Sequence, residues 1–225
     1  MKERPILFSA PMINAILGGS KTMTRRIVEP QPNGDGLSID SEPIEYGRAW
    51  RGSDGSIRSC PYGVPGDRLW VRETFYCDDA FAGKYLDVGA VSGPRTRQQQ
   101  EAEWREALYY RADGEPKFEA PDGPTPWSPS IHMPRWASRI DLEVTAVCVE
   151  RLQDITEKDV WAEGIEAVDG VLSDAEIAAA AKANGWTIED ARASFAVLWD
   201  KINGGKAPWK SKPWAWVVSF KRVRP

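Results

Sequence analysis

The chain reads as an α+β protein, and three patterns along it predict that class. Residues Arg139 to Arg151 alternate apolar Ile140, Leu142, Val144, Ala146 and Cys148 with Arg139, Asp141, Glu143 and Thr145. That period of two belongs to a strand with one face in the core and the first half of the other in water. Residues 156–203 change to helical spacing, bounded by capping residues and glycines. Trp214 to Phe220 then returns to a strand, with Trp214, Trp216, Val218 and Phe220 on one face. With 225 residues and 42% hydrophobic content, the chain suits one large domain able to bury a sizeable core.

The remaining elements follow from the same rules. Met12 to Leu17 is a short apolar helical run, and Gly18 and Gly19 can end it because glycine adopts the left-handed conformation at little cost. Gly66 to Phe75 reads as a turn feeding a strand, with Leu69, Val71, Glu73 and Phe75 on one face. Two tracts, about 30–66 and about 77–135, are rich in turn residues and read as long insertions, expected to rim a pocket or cover it. Gln98 to Tyr109 suits a short helix or a lead into a strand at Leu108-Tyr109-Tyr110-Arg111. In the helical region Thr156 caps a first helix, with Asp159 three residues on, and that helix ends near Gly164. Ser173 with Glu176 opens a second, which Gly185 ends. Thr187 to Ile202 is the longest, with Ala191, Phe195, Leu198, Trp199 and Ile202 as its apolar stripe and Asn203-Gly204-Gly205 as its stop.

Two segments carry the candidate chemistry. Gly18 to Arg26 sets Lys21 and Thr24 beside Arg25 and Arg26. Three residues apart, Lys21 and Thr24 would point to opposite faces of a strand. They converge if Lys21 lies in the turn after the helix and Thr24 at the start of the next strand. Cations after a helix C-terminus also offset its dipole, which is a purely structural use of the same residues. In the second segment Glu73 is flanked on its own face by three apolar residues. Such a carboxylate is expected to be partly desolvated, with a raised pKa unless a cation pairs with it. It is therefore a candidate acid/base group or one half of a structural ion pair.

Together these segments resemble the ASCH domain, a family of PUA-like β-barrels. Its signature, Gly-x-Lys followed by four residues and Arg, matches Gly19, Lys21 and Arg26. Pro5 to Ser9 suits the first strand of that frame, Pro11 to Leu17 its helix, Gly66 to Glu73 a barrel strand and Trp214 to Arg222 the closing strand. The resemblance covers about half the chain and implies an α+β fold built on a PUA-like barrel with flanking helices and long loop insertions. Small bacterial members include amidohydrolases that deacetylate N(4)-acetylcytidine with a lysine, a threonine and a glutamate. Carried over by position, these are Lys21, Thr24 and Glu73. The length, with Arg-Pro-Ile-Leu-Phe near the start and Leu-Trp-Val-Arg-Glu-Thr later, looks like the forms carried by bacteriophages and prophages.

The resemblance thus implies an amidohydrolase acting on an N(4)-acylated cytidine or a related modified nucleoside or base. The rival reading is a PUA-like module that binds RNA or a modified base without catalysis. Arg25 and Arg26 would then meet phosphate, and Trp136 or Trp209, each near prolines or cations, would stack a base. A third is an accessory protein that keeps the barrel for a protein partner. Composition bounds these choices. The net charge is −4, which argues against strong nonspecific binding to duplex DNA. Residues 206–225 nevertheless carry Lys206, Lys210, Lys212, Lys221, Arg222 and Arg224 and no acid, whereas 154–200 is strongly acidic, so a basic and an acidic face are expected. Cys60, Cys77 and Cys148 are widely spaced and His132 is the single histidine. That predicts free thiols in a reducing cytoplasm, no metal site and no cofactor. No run is long enough to span a membrane.

Overall fold

In a computed structural model of the chain, residues 1–29, 31, 49–51, 57–77, 108–115, 127–168 and 170–223 are described. The first strand, β1 (Glu3–Leu7), leads through Ser9 into α1 (Ala10–Gly18). Pro11 sits in the first turn of α1, where its missing N–H costs nothing. Gly19 ends the helix in the left-handed conformation, φ 84°, and its N–H reaches Ile16 O at 3.2 Å. Four residues later β2 (Met23–Ile27) begins. Lys21 therefore occupies the turn and Thr24 the start of the strand.

The main sheet has five strands in the order β1, β5 (Arg68–Arg72), β8 (Asp141–Arg151), β9 (Trp214–Val223), β2. Only β1 and β5 are parallel; the other neighbours are antiparallel. β1 and β2 are its two edges, so the sheet is not closed into a barrel among the described residues. The edges are nevertheless bridged: the Arg26 guanidinium of β2 donates to Leu7 O of β1 at 2.5 Å.

β8 departs from simple alternation. The ladder with β9 slips between Val144 and Ala146. Leu142 and Val144 are buried before the slip and Val147 after it, while Thr145 and Ala146 are exposed. One extra residue moves the core face from even to odd positions. Ala146 is therefore not on the core face that its spacing predicts.

Two short pairs, β3 (Ala49–Arg51) with β4 (Ile57–Ser59) and β6 (Phe75–Cys77) with β7 (Leu108–Tyr110), lie within or beside the two insertions. The strand alternative at Leu108 is the one adopted; residues 98–107 lie outside the described residues.

Helix α2 (Glu157–Ala162) opens with the capping box its sequence announces: Asp159 N donates to Thr156 Oγ1, and Thr156 N to Asp159 Oδ2, each at 3.2 Å. α3 (Asp174–Asn184) ends at Gly185, φ 71°. α4 (Ala191–Asn203) starts four residues later than Thr187, because Asp190 is the cap and its carboxylate accepts the Arg192 N–H at 2.9 Å. Phe195 and Trp199 of α4 are buried in the main core cluster, but Ile202 is 66% exposed. The shared core joins Ile13 and Ile16 of α1 to Leu69, Leu142 and Val218 of the sheet. Each such side chain contributes about 1.5–3 kcal/mol on full burial.

Candidate functional site

The turn 19–22 is fixed from three sides. Lys21 N donates to Ala15 O of α1 at 3.1 Å, Thr22 N to Ala162 O of α2 at 2.9 Å, and Thr22 O accepts from Phe220 N of β9 at 2.9 Å. This brings α2 against the start of β2 and delivers Glu163, the residue after α2, to Lys21. Gly164 makes that approach possible. Its φ is 78°, and a Cβ there would lie 3.0 Å from both Ala15 Cβ and Lys21 Cβ.

Lys21 is 4% exposed. Its Nζ donates to Met23 O at 2.8 Å, to Glu163 O at 2.6 Å and to Glu163 Oε2 at 3.0 Å. Three acceptors match the three protons of an ammonium. Burial pushes the Lys21 ammonium below its ordinary pKa; Glu163 opposes the shift, and Arg26 and Arg25 add to it. The resting arrangement is thus a buried ion pair whose cation is held under electrostatic pressure to give up a proton.

Thr24 is also buried, at 4% exposure, and pairs with Val218 across the β2–β9 ladder. Its side chain forms no hydrogen bond among the described residues. Lys21, Thr24 and Glu163 line one cavity of about 380 Å³. The walls are aromatic where Phe8, Phe195 and Trp199 face it. Lys21 Nζ and the Arg26 guanidinium lie 5.5 and 5.1 Å from the Phe8 ring centroid. An apolar cavity of this size with a few convergent polar groups has the character of a small-molecule site.

Glu73 is placed elsewhere. It is 2% exposed, as its apolar flanks predict. Its two carboxylate oxygens each accept a 2.9 Å hydrogen bond from Arg139, whose guanidinium also holds Asp113 at 2.7 and 2.9 Å and stacks 3.9 Å from the Tyr110 ring centroid. Burial pushes the Glu73 carboxyl above its usual range against the pull of Arg139. Glu73 is not among the residues lining the cavity, although its neighbour Thr74 is. The carboxylate that meets Lys21 belongs to Glu163.

The other site candidates divide. Arg25 is 5% exposed and its guanidinium is enclosed by Glu150 and Asp159 at 3.2 Å and Glu163 at 3.5 Å. It forms a wall of the cavity, and its charge is already matched. Arg26 has no carboxylate partner among the described residues, and its buried Nε has no hydrogen-bond acceptor. Trp209 is a core residue, 5% exposed, with edge-on contacts to Trp186 and Phe195 and a 3.1 Å bond from its indole N–H to Asn184 Oδ1. Its face is not open to a base, contrary to the reading of its cation-rich surroundings. Trp136 packs against a separate small cluster of Phe75, Leu108 and Met133 and does not line the cavity. His132 is exposed, and the three cysteines are free.

Glu163 and Trp199 line the cavity but were not among the sequence-predicted site residues. Trp199 read as core, which it also is. Glu163 carried a signal: an acid at the C-terminal end of a helix stands against the helix dipole unless a cation meets it. No group of three or more potential metal ligands occurs among the described residues, and no helix among them is long and apolar enough to cross a membrane.

Comparisons with protein-family models, characterised proteins and solved structures return no match. The ASCH resemblance therefore rests on the residues of this chain alone.

Proposed function

We propose that this protein is an amidohydrolase that removes the acyl group from an N(4)-acylated cytidine or a related modified nucleoside, with the curled five-stranded sheet serving as its PUA-like barrel. One observation carries the reading: a hydroxyl without a hydrogen-bond partner among the described residues and a buried lysine–carboxylate pair line the same aromatic-walled cavity.

Thr24 is the nucleophile. A threonine hydroxyl is weak at its own pKa and requires a base. Lys21 becomes that base when it passes one proton to Glu163 Oε2, 3.0 Å away. In a desolvated pair the neutral form lies closer in energy to the ionic form than it does in water, so the transfer is accessible. The Lys21 amine takes the Thr24 proton as Oγ1 bonds to the acyl carbon. The Lys21 ammonium then returns that proton to the departing exocyclic nitrogen as the C–N bond breaks. Water attacks the acyl-threonine ester, gives its proton to Thr24 Oγ1 and releases the acid.

The test is a direct assay. Purified protein incubated with N(4)-acetylcytidine should convert it to cytidine with a change in absorbance, and Thr24→Ala should remove that conversion. Hydrolysis that persists in a pure Thr24→Ala preparation would overturn the assignment of the nucleophile. Tight, salt-sensitive binding of single-stranded RNA with no turnover would favour the reader instead.

A further inference from the structure

A second cavity of about 520 Å³ adjoins the first. Arg26, Ile202 and Asn203 line both, so the Arg26 guanidinium stands at the junction. On the far side the walls carry Ser59, Tyr62 and Lys206, with Glu29 as the acid present. Lys206 is 76% exposed and its Nζ lies 3.5 Å from Glu29 Oε1. That separation is at the edge of a salt bridge and leaves the ammonium free to turn to a stronger partner.

Arg26 is the unusual member. Burial weighs against its charge, and the Glu163 carboxylate offsets part of that cost. It still remains a cation, since guanidinium does not deprotonate in proteins. Among the described residues its guanidinium donates to the Leu7 carbonyl, and its Nε is buried without an acceptor. A half-buried cation with spare donor capacity between two cavities is the setting in which arginine grips a phosphate through two parallel hydrogen bonds.

From this we infer that the second cavity is a phosphate subsite, and that the ligand of the joined cavities is a nucleoside monophosphate with its base beside Thr24 and its phosphate between Arg26 and Lys206. The inference rests on the hydrolase reading for the base end only. The supply of cations decides between a mononucleotide and a nucleic-acid strand. Among the described residues the cavity wall offers one guanidinium and one ammonium, set against Glu29, which match a single phosphate, whereas a strand needs a series of cations along its path. Tyr62 and Ser59 add hydroxyls suited to phosphate or ribose oxygens.

Equilibrium binding tests the subsite without any need for turnover. Isothermal titration of the wild-type protein with cytidine 5′-monophosphate and with cytidine should show at least about a tenfold preference for the nucleotide. That preference should shrink several-fold in Lys206→Gln, whose side chain is largely in solvent and not required for folding, and vanish in Arg26→Gln. Equal affinities, a preference that survives both variants, or no binding of either compound would overturn the subsite. A short single-stranded RNA that binds at least tenfold more tightly than the mononucleotide would also overturn it, in favour of a strand path. The two readings fail separately. Turnover of N(4)-acetylcytidine with no nucleotide preference keeps the hydrolase and removes the subsite. A nucleotide preference with no turnover of any acylated cytidine keeps the subsite and removes the hydrolase.

Discussion

Two buried carboxylates in this molecule each meet a cation, and they have different surroundings. Glu73 is gripped by both arms of Arg139, which is in turn held by Asp113 and stacked on Tyr110. Both carboxylate oxygens of Glu73 are taken up by Arg139, and neither faces the cavity. Glu163 shares Lys21 and Arg25 with other acceptors, and beside it lie a cavity and a threonine hydroxyl with no partner among the described residues. Desolvation is common to both places and therefore does not by itself mark a site. What separates them is unspent hydrogen-bonding capacity facing open space, which a ligand can take up.

The strongest way to break this comparison is to remove the two carboxylates in parallel. Thr24→Ala and Glu163→Gln should each lower turnover of N(4)-acetylcytidine by on the order of a hundredfold or more. Glu73→Gln should lower it by less than about tenfold and act mainly on stability, since an amide keeps the shape but loses the charge that Arg139 meets. If Glu73→Gln abolishes turnover in a protein that unfolds at the wild-type denaturant midpoint, the roles given to the two acids are reversed.

The Glu73–Arg139 pair also predicts a stability pattern. Arg139→Ala leaves a carboxylate at 2% exposure without its partner, and should cost about 2–3 kcal/mol in urea unfolding, discounted because Arg139 itself is 27% exposed. The double variant Arg139→Met with Glu73→Leu should recover most of that loss, because an apolar pair of similar volume removes the buried charge altogether. A double variant no more stable than Arg139→Ala would mean that the pair contributes more than charge matching.

Gly164 links fold to site. Gly164→Ala must adopt φ 78°, a left-handed conformation, with its Cβ 3.0 Å from the Lys21 stem. The backbone term alone should cost about 1–2 kcal/mol. Displacement of Lys21 should lower kcat more than it raises KM, a split that separates misplaced chemistry from general loosening.

How much of this was legible in the sequence follows from range. The Thr156–Asp159 box, the Gly19 end of α1 and the burial of Glu73 all depend on neighbours within a few residues, and the chain displays them directly. The late start of α4 was missed because Asp190 competes with Thr187 as a cap, and both are acceptable residues for the position. The slip at Thr145 was invisible because a bulge arises from pairing with β9, not from β8 itself. Glu163 lies 142 residues from Lys21. No local pattern reports a contact at that distance; only the cost of an acid at a helix C-terminus pointed to it. Trp209 misled for a related reason, since flanking lysines resemble a nucleic-acid surface when the packing of Trp186 and Phe195 against its ring is not in view.

The smallest effect concerns the helix that carries Glu163 into place. Asp159 completes the capping box of α2 by accepting from Thr156 N, and touches Arg25 at 3.2 Å. Burial alone would raise its pKa, but the hydrogen bonds with Thr156 and the charge of Arg25 hold it below 3.8, the ordinary aspartate value. A depressed carboxyl stabilises the fold fully above the unfolded value, and that contribution drains away as pH falls through the folded one. Asp159→Asn should therefore be less stable than the wild type by about 1 kcal/mol at pH 7, the usual worth of a cap. The gap should narrow as urea midpoints are followed from pH 5 down to pH 2. A gap that stays constant across that range would show that Asp159 acts through shape and not through charge. The acidic end of α2 would then have no electrostatic part in setting Glu163 against Lys21.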